Sequence, residues 1–226
     1  MNKVLVIGIG FRPLNKKTSE ALLQSDVVLT NDRLLEAFKG YTEYEAVKDR
    51  IISLKDIHQT KRYIHDNYQN IKIALLAVGD PMLFGIGRVI RDEIGKEAME
   101  VHPDLSSIQV AFARIREPSS NAFFMSLHGG PDPDNRRKLE YEITELPDLL
   151  KRHKKIAILT DRVNSPTEIA KVINSSPVTR YALLKMYVCE KLGYDDEKIT
   201  EGTPEEIAAE SYAHPNVVII ISENND

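Results

Sequence analysis

Two continuous runs of apolar residues constrain the fold of this chain most strongly. Residues 4–9 are VLVIGI and residues 71–78 are IKIALLAV, with little of the polar and apolar alternation of a half-exposed strand. Such β-branched, apolar runs are typical of strands buried on both faces, as in parallel sheets covered by helices. We therefore expect a parallel sheet that contains these two strands.

Strand-like and helix-like segments alternate along the first half. Further strands are predicted at 26–30 and 99–103, and helices at 18–24, 34–38, 56–70, 85–94 and 106–115. This order is typical of βαβ units with a parallel sheet.

The turn sequence Pro-Ser-Ser-Asn at 118–121 predicts a link between two domains, 1–117 and 121–226. Strands are predicted after it at 122–127, 155–160, 182–189 and 216–222, and helices at 146–153, 165–173 and 203–211. The polar segment 129–137 is expected to be a mobile loop, acting either as a lid or as an exposed connection. The predicted fold class is α/β, with two domains whose sheets are mostly parallel or mixed, and with ligands bound in a cleft between them.

Two helices of the second half start with the sequence pattern of a capping box. Ser165 and Thr203 are the expected N-cap residues, each followed by proline and, three positions on, by Glu168 or Glu206. Such pairs satisfy the free amide groups of the first helical turn.

Composition excludes several classes of protein. The net charge of -4 does not favour a nucleic-acid binder, and no apolar run approaches the roughly 20 residues of a membrane span. The single cysteine, Cys189, excludes an intrachain disulfide and fits a reducing compartment. A strand pattern near the N-terminus leaves no room for a signal peptide. We expect a cytoplasmic protein that binds no nucleic acid, membrane or protein-held metal.

The segment Gly79-Asp80-Pro81 follows a buried strand directly. Glycine lets another surface approach the backbone, and Pro81 restricts both its own φ and the conformation of Asp80. Gly85 and Gly87 leave one side of the next helix without side chains, which favours close approach by a ligand or a neighbouring helix. The alternative is a simple turn with tight helix packing.

The first strand ends in Gly8-Ile9-Gly10. A dinucleotide fingerprint needs a third glycine three residues later and an immediate helix, but that position is Pro13. The pair is therefore either a flexible turn or a loop that passes under a flat ligand, with Arg12 available for carboxylates.

Six ordered segments resemble the tetrapyrrole (corrin/porphyrin) methylases. They are VLVIGIG (4–10), VGDPMLFGIGR (78–88), HPDLSSIQVAFAR (102–114), MSLHG (125–129), LTDRVNSPTEIA (159–170) and VCEKLGYDDEKITEGTPEEIA (188–208). Their combination is similar to the subfamily that methylates cobalt-precorrins or precorrins at ring carbon 5. Two positions depart from the family pattern: Phe11-Arg12 separate the first glycine pair from Pro13, and Asp104 stands where glycine is usual. Asp104 either adjusts cofactor affinity or caps the next helix.

The resemblance implies an S-adenosyl-L-methionine-dependent methyltransferase of cobalamin biosynthesis, with S-adenosyl-L-homocysteine as product. It also implies a homodimer and a functional partner that methylates carbon 15 with decarboxylation. The implied cofactor-binding residues are Gly79, Asp80, Pro81, Ser106, Ser107, Leu127, Thr160, Cys189 and Glu190. The candidate substrate-binding residues are Gly8, Gly10, Arg12, Arg88 and Arg114, and each arginine either binds a carboxylate of the substrate or is a solvated surface residue. His128 is either a proton-transfer group or a structural histidine, and any cobalt would enter within the substrate.

Two other functions stay open at this point. One is an NAD(P)-dependent oxidoreductase, which would have to bind its dinucleotide without the third glycine of the fingerprint. A non-catalytic tetrapyrrole-binding subunit would keep the fold without turnover.

Overall fold

The structure is a computed structural model that describes residues 3–130, 138–177 and 183–222. Contacts divide the chain into two compact units, residues 1–106 and 107–226. The predicted loop 129–137 lies outside the described residues from 131 onward.

The first unit contains five strands and five helices among its described residues. The strands are β1 (Val4–Ile9), β2 (Val27–Thr30), β3 (Ile51–Ser53), β4 (Ile73–Val78) and β5 (Met99–His102). The helices are α1 (Lys16–Leu23), α2 (Asp32–Phe38), α3 (Tyr44–Val47), α4 (Ile57–Asn67) and α5 (Ile86–Ile94). Short 3₁₀ turns occupy Lys48–Arg50 and Lys96–Ala98.

The five strands form one sheet in the order β3-β2-β4-β1-β5, and every pair is parallel. The prediction of a parallel sheet is thus confirmed. Ile9 pairs with Val78 and Ile7 pairs with His102, so the carboxyl ends of β4, β1 and β5 lie at one edge. This edge carries the loops discussed below.

Alternate residues of β1 and β4 pack into two cores on opposite faces of this sheet. Val6 and Leu75 contribute to the core that includes residues of α4 and α5. Ile7 and Leu76 contribute to the core that includes residues of α1 and α2. Burial on both faces explains why these strands carry continuous apolar runs.

The second unit contains a mixed sheet. Its strands are β6 (Phe123–Ser126), β7 (Lys155–Leu159), β8 (Leu184–Glu190), β9 (Lys198–Gly202) and β10 (Asn216–Ser222). Its helices are α6 (Ser107–Ile115), α7 (Leu146–Arg152), α8 (Pro166–Ser175) and α9 (Pro204–Ala208), with a 3₁₀ turn at Ile143–Glu145. The order is β6-β7-β10-β8-β9; β6 and β7 are parallel, and β10 is antiparallel to both β7 and β8.

The division between the units falls before α6, whereas the sequence places the link at 118–121. Helix α6 packs against β7 and β10, and Phe112 stacks on Phe124 of β6 with ring centroids 6.1 Å apart. The turn at 118–121 therefore lies inside the second unit.

Sequence patterns missed three short elements, α3, β3 and β9. Strand β3 has only three residues, and β9 is an exposed edge strand rich in polar residues, so neither carries a strong apolar pattern. The capping prediction holds in full at α9, where Thr203 and Glu206 bond each other's backbone. At α8, Ser165 accepts a bond from the Glu168 amide.

In the parts of the chain that the structure describes, no helix has the length and apolar character needed to cross a membrane.

Candidate functional site

Three loops contact one another at the carboxyl edge of the parallel sheet. The Asp104 amide, after β5, donates a hydrogen bond to the Gly79 carbonyl, after β4, at 3.1 Å. Gly8, in β1, lies between them: a Cβ there would stand 1.8 Å from the Gly79 oxygen and 2.6 Å from the Asp104 nitrogen. Only glycine fits at position 8, because backbone of two loops occupies the space of a side chain.

Gly79 has a second reason to be glycine. Its φ is +57°, and a Cβ there would lie 2.7 Å from the Leu105 carbonyl oxygen and 3.2 Å from Cα of Ser106. The left-handed backbone turns the chain sharply out of β4. Gly79 and Ser106, both predicted site residues, are therefore neighbours.

Asp80 shapes the turn that follows. Its Oδ1 accepts a hydrogen bond from the Met82 amide at 2.8 Å, as in an Asx turn. Gly85 and Gly87 pack against this turn, since Cβ atoms there would lie 2.5 and 2.8 Å from the Pro81 carbonyl oxygen. The close approach expected at this helix is thus supplied by the chain's own loop.

The loop after β1 is held through consecutive amide groups. Gly10 donates to the Tyr41 hydroxyl at 2.7 Å, while Phe11 and Arg12 donate to Oδ2 of Asp104 at 2.8 and 3.2 Å. Burial of the Tyr41 ring raises the pKa of its hydroxyl. Asp104 also binds the Arg12 side chain, so its carboxylate contacts the first loop, a role that the sequence did not indicate.

The same loop does not continue into a helix as a dinucleotide fingerprint would. Helix α1 begins only at Lys16, after the N-cap residue Asn15, and Pro13 lies between it and Gly10. The amides of Phe11 and Arg12 are bound by Asp104 and are not free for a pyrophosphate.

The predicted arginines fall into two groups. Arg12 and Arg88 are exposed on the first unit, after β1 and in the first turn of α5. Arg114 lies in α6 of the second unit, where its Nε is 2.5 Å from Oε1 of Glu197. The structure therefore places Arg114 in an ion pair that the sequence did not indicate.

In the second unit, buried polar groups hold the segment after β6. Asp161 accepts hydrogen bonds from the amides of Gly129, Val163 and Asn164 at 2.7, 2.9 and 2.8 Å. The Asn164 side chain donates to the Leu127 carbonyl at 2.9 Å. These contacts fix the backbone on both sides of His128, which is half-buried.

A second polar group spans the ends of β7, β10 and β8. The Thr160 hydroxyl lies 2.5 Å from Oδ1 of Asn216, and Asn216 pairs with Glu190 across the sheet. Oε1 of Glu190 accepts a bond from the Ala213 amide at 2.6 Å. Its Oε2 is buried and has no hydrogen-bond partner among the described residues.

Cys189 is fully buried next to this group. Burial raises the pKa of its thiol to about 12, and the negative charge of Glu197 acts in the same direction. Its side chain is therefore an uncharged packing group, and the residue is paired with Val217 of β10 and Ile199 of β9.

Sequence reasoning missed several residues of these sites: Tyr41, Asp161, Asn164 and Asn216. Asp161 had a usable signal, because an acidic residue directly after a buried strand often serves a binding site or a loop. No local sequence pattern marked Tyr41 or Asn216, since their hydrogen-bond partners are distant in the chain. In the described parts of the chain, no three His, Cys, Asp or Glu side chains are grouped to hold a metal ion.

Several known proteins are similar to this chain in sequence or in fold. A "Probable cobalt-precorrin-7 C(5)-methyltransferase" of Methanocaldococcus jannaschii is 28% identical over 223 residues, covering 96% of each chain. A "Precorrin-6Y C(5,15)-methyltransferase [decarboxylating]" of Sinorhizobium is 26% identical over 132 residues, covering 57% of this chain and 28% of its own.

Among solved structures, a cobalamin biosynthesis precorrin-6Y methylase of Archaeoglobus fulgidus has the same fold. Its TM-score is 0.68 at 22% identity, over 99% of both chains. Residues 3–208 of this chain match the family described as Tetrapyrrole (Corrin/Porphyrin) Methylases. The chain therefore belongs to the tetrapyrrole methylases, a family of methyltransferases.

Proposed function

We propose that the chain transfers a methyl group from S-adenosyl-L-methionine to ring carbon 5 of a cobalt-precorrin or precorrin, a step of cobalamin biosynthesis. The observation that carries the proposal is the match to the M. jannaschii relative over 96% of both chains, since that relative is named for this reaction. Gly79 directly follows β4, and Leu127 and Thr160 directly follow β6 and β7, which is compatible with ligand binding at these strand ends.

The second unit supplies features that fit the cofactor. The unpartnered, buried Oε2 of Glu190 is an acceptor that a hydroxyl or amino group of the cofactor would satisfy. Leu127 and Thr160 directly follow the adjacent parallel strands β6 and β7, and Cys189 lies near the carboxyl end of β8, which runs in the same direction in this sheet. We propose that these residues bind the cofactor.

We propose that further cofactor contacts come from Gly79, Asp80, Pro81 and Ser106 of the first unit and from Ser107, the first residue of α6. The turn is fixed before any ligand binds, by the Asp80–Met82 hydrogen bond and by the packing of Leu105 on Gly79. A preformed backbone loses little entropy on binding.

The bound cofactor supplies a methyl group already activated on a sulfonium, so the protein needs no acid–base triad to activate it. The residues of the site would hold the ring carbon close to this methyl group, and such positioning contributes about 7–11 kcal/mol in favourable cases. Water is excluded by the ring system itself and by the apolar side chains at the edge, among them Val78 and Met82, which are exposed in the free chain.

The substrate carries acetate and propionate arms. Guanidinium groups bind carboxylates through paired hydrogen bonds, and Arg12 and Arg88 are exposed on the first unit for this purpose. Gly8 and Gly10 shape the loop beneath the ring. Because the net charge is -4, the attraction of a polyanion must be local.

His128 is proposed to assist a proton shift on the macrocycle after methylation. Its backbone is fixed by the Asp161 and Asn164 contacts on either side. The proposal extends to a homodimer in the cytoplasm and to a functional partner that acts at carbon 15.

The deciding experiment is an anaerobic assay with methyl-labelled cofactor and the candidate corrinoid precursor. The expected result is one labelled methyl per ring, mapped to carbon 5 by mass spectrometry and NMR. Methylation at another carbon would contradict the proposed position but not the class of reaction.

Calorimetric titration separates the alternatives. Saturable binding of S-adenosyl-L-homocysteine without binding of NADH supports the methyltransferase. Binding of NADH alone supports an oxidoreductase. Cofactor binding with no label transfer to any precursor supports a non-catalytic tetrapyrrole-binding subunit.

A further inference from the structure

The Asp104 carboxylate joins two loops that are far apart in the chain. Its side chain is only 4% exposed, yet it lies at the carboxyl end of the parallel sheet. It accepts four hydrogen bonds: the amides of Phe11, Arg12 and Leu105 donate at 2.8, 3.2 and 2.7 Å, and Nε of Arg12 donates at 2.7 Å. A buried carboxylate needs such a set of donors to offset its lost hydration.

Phe11 and Arg12 provide the donors of this contact, and the Asp104 carboxylate provides their acceptor. The loop after β1 and the segment after β5 are therefore joined at this point.

The hydrogen bonds of Asp104 determine which groups of the first loop remain free to bind a ligand. The amides of Phe11 and Arg12 are occupied and cannot bind an anion. The Arg12 side chain is 53% exposed, and among the described residues its two terminal nitrogens have no partner. With Nε held by Asp104, these terminal nitrogens form the free edge of a fixed guanidinium.

We infer that Asp104 is a positioning residue that holds Arg12 so that its terminal nitrogens bind one carboxylate of the tetrapyrrole substrate. The inference rests on the proposed function. A fixed guanidinium binds a carboxylate through two parallel hydrogen bonds and loses less side-chain entropy than a free arginine.

The test measures binding of uroporphyrin, a porphyrin octacarboxylate, by fluorescence quenching, together with binding of S-adenosyl-L-homocysteine. Arg12→Gln is expected to weaken uroporphyrin binding about tenfold or more, as for loss of a hydrogen bond to a charged group. Cofactor affinity should not change. Arg91→Gln is the matched control, because the Arg91 side chain is exposed and its one partner among the described residues is its neighbour Asp92.

Asp104→Asn is expected to weaken uroporphyrin binding as well, but not in the Arg12→Gln background. A purely structural role would produce the same loss in both backgrounds, and that result would overturn the inference. Unchanged binding by Arg12→Gln would also overturn it.

If Asp104→Asn fails to fold, Arg12→Lys provides the test. It keeps the positive charge and the backbone bonds to Asp104 but lacks the guanidinium fork. We expect weaker uroporphyrin binding and a raised KM for the corrinoid at unchanged kcat; wild-type values would overturn the inference. Failure of the wild type to bind uroporphyrin would overturn it too, whereas the proposed function is decided separately by label transfer.

Discussion

Gly8 of β1 faces the carbonyl group of Gly79 so closely that a Cβ at position 8 would lie 1.8 Å from that oxygen. Gly8 belongs to β1 and Gly79 directly follows the adjacent strand β4, and their contact lets the loops after β4 and β5 meet over β1. The hydrogen bond from the Asp104 amide to the Gly79 carbonyl depends on this approach. The architecture of the sheet edge is therefore built on a backbone-to-backbone contact.

Gly8→Ala is expected to destabilise the fold by about 2–3 kcal/mol or more, because backbone must move to admit the methyl group. Urea unfolding measures the change. Gly40→Ala is the matched control, since its Cβ would meet only the Ala37 carbonyl oxygen at 3.6 Å, an ordinary contact. Equal stability of the two variants would contradict the observed packing.

Asp161→Asn is expected to lower the free energy of unfolding by about 2–4 kcal/mol. The buried carboxylate accepts hydrogen bonds from three backbone N–H groups, whereas an asparagine side chain has only one acceptor oxygen. Chemical denaturation gives the value. Asp148→Asn serves for comparison. The Asp148 side chain is 71% exposed and, among the described residues, is paired with Lys151 alone, so this substitution should lower the free energy of unfolding by less than about 0.5 kcal/mol. Similar losses at both positions would argue against the role of Asp161.

Cys189 is expected to resist alkylation in the native protein. Burial raises the pKa of its thiol to about 12, so almost no thiolate is present at pH 8 and the sulfur is shielded from reagent. Iodoacetamide labelling followed by mass spectrometry should show modification only in denaturant. Since the chain has one cysteine, rapid native labelling would directly disprove this burial.

Arg114 and Glu197 should produce a pH-dependent contribution to stability. Burial raises the pKa of the Glu197 carboxyl, but bonds from Arg114 and the Gly193 amide outweigh it, and the net pKa is lowered. A lowered folded-state pKa adds stability above the unfolded value of about 4.3, and this stability is lost as the pH falls through the folded value.

Arg114→Gln is therefore expected to destabilise the protein by up to about 1 kcal/mol at pH 7, with the difference shrinking below about pH 4. Urea unfolding at a series of pH values measures it. Arg91→Gln is again the control, because Arg91 and Asp92 are both largely exposed. A difference that persists unchanged at pH 3 would exclude the ion pair as its cause.

Much of the fold could be predicted from local patterns. The apolar runs of β1, β4 and β10 predicted buried strands, and Thr203 with Glu206 predicted the start of α9. Weakly patterned elements such as β3 were missed because three residues carry too little periodicity. The position of α6 with the second unit was also not predictable, since an apolar helix can pack on either sheet.

For the candidate site, the sequence by itself determined the residue types at the strand ends: the glycines, the turn at Asp80 and the exposed arginines. The tertiary structure alone decided how they are used. Asp104 binds a loop 92 residues earlier in the chain, Arg114 pairs with Glu197, and Oε2 of Glu190 is buried without a partner in the described chain. Local periodicity reports which face of an element is buried, but a hydrogen bond between distant loops depends on sheet order and register, which only the folded chain establishes.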